Sequence, residues 1–238
     1  MKRLDNILVN SGYGSRREVQ KLIRTKKVSV NGEIINVPSV HVDVNEDEIC
    51  VFDEVVEYKK FIYLMLNKPS GFVSATKDNF ERTVLEFIDE KYKNLNPYPI
   101  GRLDKDTVGL LIISNDGKMC HRVLSPKKHV SKKYFVRVDN CLNSSHIEIF
   151  SNGIVLDDGY KCKKSILKIL SSSNDFSECE VILTEGKFHQ VKRMFGAIGF
   201  NVLYLKRIEF CNIKLDSALK EGEYRHLTQD EINILKSV

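Results

Sequence analysis

The stretch that most constrains this chain is Gly101-Arg102-Leu103-Asp104-Lys105-Asp106-Thr107-Val108-Gly109-Leu110-Leu111-Ile112-Ile113-Ser114-Asn115-Asp116-Gly117. It opens as a polar loop holding acids, bases and a threonine between glycines. Leu110 to Ile113 is apolar without a break, which predicts a strand covered on both faces. Asn115-Asp116-Gly117 then turns the chain. A charged loop joined to a rigid internal strand can hold one carboxylate still, and loops on rigid scaffolds carry a large share of catalytic residues. Asp104 is the candidate. Taken alone, it reads more readily as a turn acid satisfying nearby amides.

A chain of 238 residues allows one large domain, or one small and one medium domain. No apolar run approaches the roughly 20 residues of a membrane span, and the basic N-terminus lacks the apolar core of a signal peptide. The six cysteines and six histidines show neither a C-x-x-C pair nor H-x-x-x-H spacing. A reduced, cytoplasmic thiol set without a metal site is expected. The net charge of +5 is unevenly spread: residues 1–35 carry +5 and residues 36–60 carry −5, with further basic clusters at 127–137 and 187–193. Such clusters suit an anionic partner, nucleic acid being the commonest, or a solvated surface.

Leu4, Ile7 and Leu8 predict a short amphipathic helix ending near Gly12. Ser15-Arg16-Arg17-Glu18 has the form of a capping box opening a second helix. That helix would bury Val19, Leu22 and Ile23 and line up Arg17, Lys21 and Arg24 as a basic ridge, shaped to lie along a phosphate backbone. Val28-Ser29-Val30, the turn Asn31-Gly32 and Glu33-Ile34-Ile35 read as a hairpin. Residues 53–60 read as a linker. Beyond it come a strand over 61–66, a break at Asn67-Lys68-Pro69-Ser70-Gly71, and a resumed strand at Phe72-Val73-Ser74. A helix capped by Thr83 and an irregular approach through Pro97 and Pro99 follow. After the organising loop, a helix stops before Pro126, and strands are expected at 132–138, 165–170, 180–183 and 202–213. A helix from Val191 carries Val191, Met194, Phe195 and Ile198 as its core stripe, with His189, Lys192 and Arg193 on the other face. Thr228-Gln229-Asp230-Glu231 caps a terminal helix. The expected fold class is α+β: a small N-terminal α/β unit (1–58) and a larger, mainly antiparallel sheet domain flanked by helices (59–238).

The residues alone already narrow the chemistry. There is no P-loop, G-x-G-x-x-G or metal cluster. A single carboxylate can serve as nucleophile or base beside a cation, an aromatic ring such as Tyr134 can stack on a base, and Lys192 and Arg193 can hold phosphates. Cofactor-free chemistry on a nucleotide fits this set. Tyr134 as a core residue and Lys192 as a solvated lysine are the alternatives at this level.

Two resemblances sharpen the reading. Arg3-Leu4-Asp5, Ser15-Arg16-Arg17 and Val28-Ser29-Val30-Asn31-Gly32 resemble the S-four RNA-binding domain. That implies RNA contacts by the second helix and hairpin, with Arg3, Arg16, Arg17, Lys21 and Arg24 as candidates. Gly101-Arg102-Leu103-Asp104-x-Asp106-Thr107-x-Gly109-Leu110 closely resembles the catalytic motif of pseudouridine synthases. Lys133-Tyr134 and Glu185-Gly186-Lys187-x-His189-Gln190-Val191-Lys192-Arg193-Met194 are similar to later motifs of that family. Leu66-Asn67-Lys68-Pro69-x-Gly71 and Gly222-Glu223-Tyr224-Arg225-x-Leu227-Thr228 match its RsuA-type branch. The resemblance implies isomerisation of a uridine in ribosomal RNA, expected at uridine 516 of 16S rRNA, with 23S rRNA or a non-catalytic assembly role as alternatives. It implies no cofactor and a monomer. Asp104 would be the essential carboxylate, Tyr134 would stack on the target base, and Lys192 would pair with Asp104. Arg102 would fill the space left by the flipped base, and Lys133, Lys187, His189 and Arg193 would contact RNA. Position 187 departs from the pattern, carrying lysine where many relatives have arginine, a point charge rather than a fork.

Overall fold

The computed structural model describes residues 1–56, 58 and 60–238. Contacts divide the chain into two units, one of residues 1–62 with 88–98 and one of residues 63–87 with 99–238. The single boundary expected at 58/59 thus gives way to a division in which segment 88–98 groups with the N-terminal residues.

In the first unit, β1 (Lys2–Arg3) leads into α1 (Leu4–Asn10) and α2 (Arg16–Arg24). The capping box forms: Glu18 N donates to Ser15 Oγ, and Ser15 N donates to Glu18 Oε2 at 2.7 Å. Strands β2 (Val28–Val30), β3 (Glu33–Ile35), β4 (His41–Val42), β5 (Ile49–Val51) and β6 (Glu54–Val55) follow. They pair in the order β3-β2-β5-β6, with β4 on β1. Leu4, Ile7, Leu8, Val19, Ile23 and the inward valines of the sheet form one apolar core. The expected linker is partly wrong, because Glu54 and Val55 pair with β5. Glu57 and Lys59 of that linker lie outside the described residues. The short helix α3 (Glu90–Lys93) also belongs to this unit.

The second unit is built on one sheet. Its elements are β7 (Tyr63–Lys68), a 3-10 turn (Val84–Phe87), β8 (Tyr98–Ile100), β9 (Val108–Ser114), α4 (Gly117–Leu124) and β10 (Lys132–Asp139). They continue with α5 (Ser144–Asn152), β11 (Ile166–Ser172), β12 (Phe176–Leu183), α6 (Gln190–Ala197), β13 (Val202–Phe210), β14 (Ile213–Lys214), β15 (Tyr224–His226) and α7 (Gln229–Ser237). The strand order is β11-β12-β10-β13-β9-β7-β15. These neighbours are antiparallel except β13 and β9, which run parallel at Lys206↔Val108 and Arg207↔Gly109. All seven residues of β9 are buried, as its unbroken apolar run requires. The N-termini of α4 and α7 are both capped by side chains: Asp116 accepts from Met119 N, and Thr228 forms a capping box with Glu231.

Three expectations fail locally. Phe72-Val73-Ser74 is no strand; Val73 makes one isolated bridge to Thr83. The Thr83 helix is a single 3-10 turn over Val84–Phe87, although the Glu86 carboxylate accepts from Thr83 N at 3.2 Å as a capping residue would. The approach through Pro97 and Pro99 contains the short strand β8. No helix of the described residues is long and apolar enough to cross a membrane.

Candidate active site

The loop before β9 is pinned at alternate peptide groups. Leu103 N donates to Ser74 Oγ at 3.0 Å, and Ser74 Oγ approaches Leu103 O at 2.9 Å. Thr107 N donates to Asp104 O at 3.1 Å, and Gly71 N donates to Lys105 O at 2.9 Å. Lys68 is fully buried, and its Nζ donates to Pro69 O, Lys105 O and Thr107 O at 3.0, 3.1 and 2.8 Å. Gly101 has φ +71° and lies so close to the Phe210 ring and the Arg207 guanidinium that a Cβ would crowd both. Gly109, at φ +100°, faces Arg207 O where a Cβ would fall at 2.4 Å. The backbone on both sides of Asp104 is therefore fixed while its carboxylate stays about one quarter exposed.

Helix α6 supplies the groups facing that carboxylate. His189 starts the helix in the left-handed region, φ 48° and ψ 33°. Its Nε2 stands 3.6 Å from Asp104 Oδ1. Lys192 Nζ lies 3.6 Å from Asp104 Oδ2 and 2.5 Å from Asp106 Oδ1. The lysine is thus shared between two acids, and Asp106 is the nearer. Burial alone would raise the Asp106 carboxyl, but the Lys192 hydrogen bond and charge outweigh it and hold it below the ordinary value. Burial pushes Lys68 down to about 8, against the pull of Asp106 and Asp104.

Tyr134 is nearly buried on β10. A register shift between Lys133 and Tyr134 sets it opposite Arg207 of β13. Arg207 is itself buried: Nε donates to Leu110 O at 2.8 Å, the guanidinium lies over the Phe210 ring, and Nη2 has no hydrogen-bond partner. Burial lowers its affinity for a proton, and the Tyr134 hydroxyl opposes that shift. Arg207 therefore bonds the Leu110 carbonyl of β9, crowds Gly101 at the start of the Asp104 loop, and pairs across the sheet with Tyr134.

The structure disperses some of the other candidates. Arg102 and Lys187 are exposed, Lys187 with its Nζ over the Tyr160 ring. Lys133 is part-buried, 3.7 Å from Glu209. Arg193 is held by Asp157 and Asp158 rather than facing the Asp104 loop. In the first unit, Arg17, Lys21 and Arg24 are exposed. Arg3 and Arg16 instead ion-pair with buried Asp5 at 2.8 and 3.5 Å. The Arg3 hydrogen bonds, the largest effect, hold that carboxyl below its ordinary value despite burial.

Sequence reasoning assigned no role to Lys68, Ser74, Asp106 or Arg207. The first and third stand inside motifs it quoted. Ser74 and Arg207 gave no signal, since a serine after a turn and an arginine in a strand usually face water. The motif Asn67-Lys68-Pro69-x-Gly71 now has a physical reading. Asn67 Nδ2 donates to Leu219 O at 2.8 Å, Gly222 N donates to Asn67 O at 2.8 Å, and the next residue holds the Asp104 loop. Two motifs far apart in sequence are one joint.

Comparison with known proteins agrees with this geometry. Residues 62–197 match the family described as RNA pseudouridylate synthase, and residues 2–49 match the S4 domain. An uncharacterized RNA pseudouridine synthase YtzG of Bacillus subtilis is 42% identical over 98% of both chains. Ribosomal small subunit pseudouridine synthase A of Haemophilus influenzae is 37% identical over 98% of this chain and 99% of that one. Ribosomal large subunit pseudouridine synthase B of Bacillus subtilis is 35% identical over 100% of this chain and 97% of its own. A crystal structure of a pseudouridylate synthase covers 99% of this chain and 100% of its own at 36% identity and a TM-score of 0.69. A carboxylate on a pinned loop, faced by a shared lysine and set on a mainly antiparallel sheet, in a chain that also matches the S4 domain over residues 2–49, places this chain in the RNA pseudouridylate synthase family.

Proposed function

We propose that this enzyme converts uridine 516 of 16S ribosomal RNA to pseudouridine in the cytoplasm, with Asp104 as the essential carboxylate. The observation that carries the assignment is Asp104 itself: immobile in its backbone, open at its oxygens, and faced by Lys192 and His189 at 3.6 Å each. The target uridine leaves its stack at a cost of a few kcal/mol. Asp104 then either attacks C1′ or takes a proton from C2′. Both routes build positive charge on the sugar as the N1–C1′ bond breaks, and a fixed carboxylate beside it lowers that barrier. The uracil turns and C5 bonds to C1′, displacing Asp104 from C1′ on the first route or with the proton returned from Asp104 to C2′ on the second. C5 then gives up its proton and N1 gains one, so atoms and electrons balance without a co-reactant. Tyr134, supported from below by Arg207, offers its ring to the base. Arg102, exposed beside the acid, occupies the gap in the RNA stack. The S4 unit adds affinity through Arg17, Lys21 and Arg24.

The small-subunit target rests on likeness to relatives so named, of which the Haemophilus protein is one. A second reading keeps the chemistry and moves it to 23S rRNA, favoured by full-length likeness to the large-subunit enzyme of Bacillus subtilis. Tritium release from C5-labelled uridine in 16S and 23S transcripts separates them. Release is expected from 16S alone, and Asp104→Asn is expected to abolish it while RNA binding persists. Release from 23S alone selects the second reading, and release by the variant removes Asp104 from its role.

A further inference from the structure

Phe80 and Phe188 are the most exposed phenyl rings of the described residues, 95% and 75% exposed. Each immediately precedes a residue that contacts the Asp104 loop. The Phe188 ring stacks on His189 with centroids 3.8 Å apart and planes within 16°. His189 in turn stands 3.6 Å from Asp104. Its backbone lies in the left-handed region, φ 48° and ψ 33°, which histidine adopts more readily than most residues. Phe80 sits in a turn closed by Asp78, whose Oδ1 accepts from Phe80 N and Glu81 N at 2.9 and 3.0 Å. Glu81 is latched to Lys105, the residue after Asp104, at 2.7 Å.

The Phe188 ring is held by the stack on His189, and the Phe80 backbone by the Asp78 turn. Both are isolated among polar neighbours: Gly186 and Lys187 precede one, and Asp78, Asn79 and Glu81 surround the other. A protein partner would need a contiguous apolar patch, which neither ring forms. Single aromatic faces with exposed cations close by in the chain, here Lys77 and Lys187, are what unstacked nucleic-acid bases use. An extruded uridine leaves two neighbours short of a stacking partner. We propose that Phe188 and Phe80 are stacking platforms for the two nucleotides flanking the flipped uridine. The proposal rests on the base-flipping reading above and adds two RNA subsites to it.

The chain contains no tryptophan, so Phe188→Trp and Phe80→Trp each install a single fluorophore. Each full-length variant is titrated with 16S and 23S transcripts, with binding followed independently by the anisotropy of end-labelled RNA. Emission of both is expected to fall by more than half on saturation. Phe188→Ala and Phe80→Ala are each expected to weaken RNA affinity roughly 10- to 100-fold, with Phe→Tyr restoring it. Unchanged emission at either position with RNA bound removes that ring from the proposal. Alanine variants that bind like the parent, or a parent that binds neither transcript, overturn it. Tritium release by the parent tests the underlying reading separately. Quenching without release keeps the platforms and sinks the flipping chemistry; release without quenching does the reverse.

Discussion

Lys192 decides most at the scale of single residues, because two carboxylates compete for it. Asp106 has the shorter contact, 2.5 Å against 3.6 Å to Asp104. Asp106 is also the more exposed, so water can replace it cheaply. Asp106→Asn should therefore release Lys192 toward Asp104 and cost less than about tenfold in single-turnover tritium release. Lys192→Met, which leaves both acids facing each other unshielded, should cost roughly 10²–10³-fold, the usual scale for one preorganised charged partner. Equal losses in the two variants would contradict a shared lysine. Arg207→Met should lower the rate and expose Tyr134, and Arg207→Lys should restore only part, since an ammonium cannot both donate to Leu110 O and lie over the Phe210 ring as the planar guanidinium does. Protection of the Tyr134 ring against iodination is the readout. Asp104 was legible from its loop and motif. The preference of Lys192 for Asp106 was not, because 86 residues separate them and only the tertiary path of α6 settles which acid is nearer.

Among the elements, the segment after β7 explains both what could be read and what could not. The alternating and unbroken apolar runs of β7, β9, β10 and β12 announced themselves. The stretch Phe72-Val73-Ser74 looked like more of the same. Its polar groups are diverted: Ser74 to Leu103, Gly71 to Lys105, Lys68 to three carbonyls. A propensity argument sees strand formers there and cannot see that Val73 N is spent on Arg82 O and Val73 O on Val84 N, outside any strand ladder. Lys68→Met should strand those carbonyls, destabilise the protein by about 1–3 kcal/mol in urea unfolding, and lower activity further still. The alkaline behaviour of this lysine has opposite signs in two assays. Its folded value near 8 lies below the ordinary 10.5, so the unfolded chain binds more protons between them. Its contribution to folding therefore becomes more favourable as pH rises through that window. The same deprotonation weakens its hold on the loop, so tritium release should decline above pH 8. Lys68→Met should remove this residue's upward component from the stability profile measured by urea titration from pH 7.5 to 10.

For the molecule as a whole, charge and topology act at different ranges. Arg17, Lys21 and Arg24 are exposed on α2 with an apolar face buried behind them. Replacing all three by alanine in the full chain should weaken RNA binding and flatten the slope of log affinity against log salt by about 2 to 3. The rate at saturating RNA should be untouched. An unchanged slope would mean the ridge does not meet phosphates. Strand topology lies beyond any such reading of the sequence. Nothing in residues 202–210 marks that strand as the parallel neighbour of β9 rather than another antiparallel hairpin arm, because the pairing is fixed by the crossover through α6.

That parallel pairing has a consequence during synthesis. The strand that follows the acid's loop, β9, is flanked by β7 on one side and by β13 on the other, and β13 is made almost a hundred residues later. Until Arg207 has left the ribosome, the loop lacks its floor and Tyr134 its support. The nascent enzyme is therefore inert through most of its own translation, and fragments ending before residue 202 should be catalytically silent however well their local helices form.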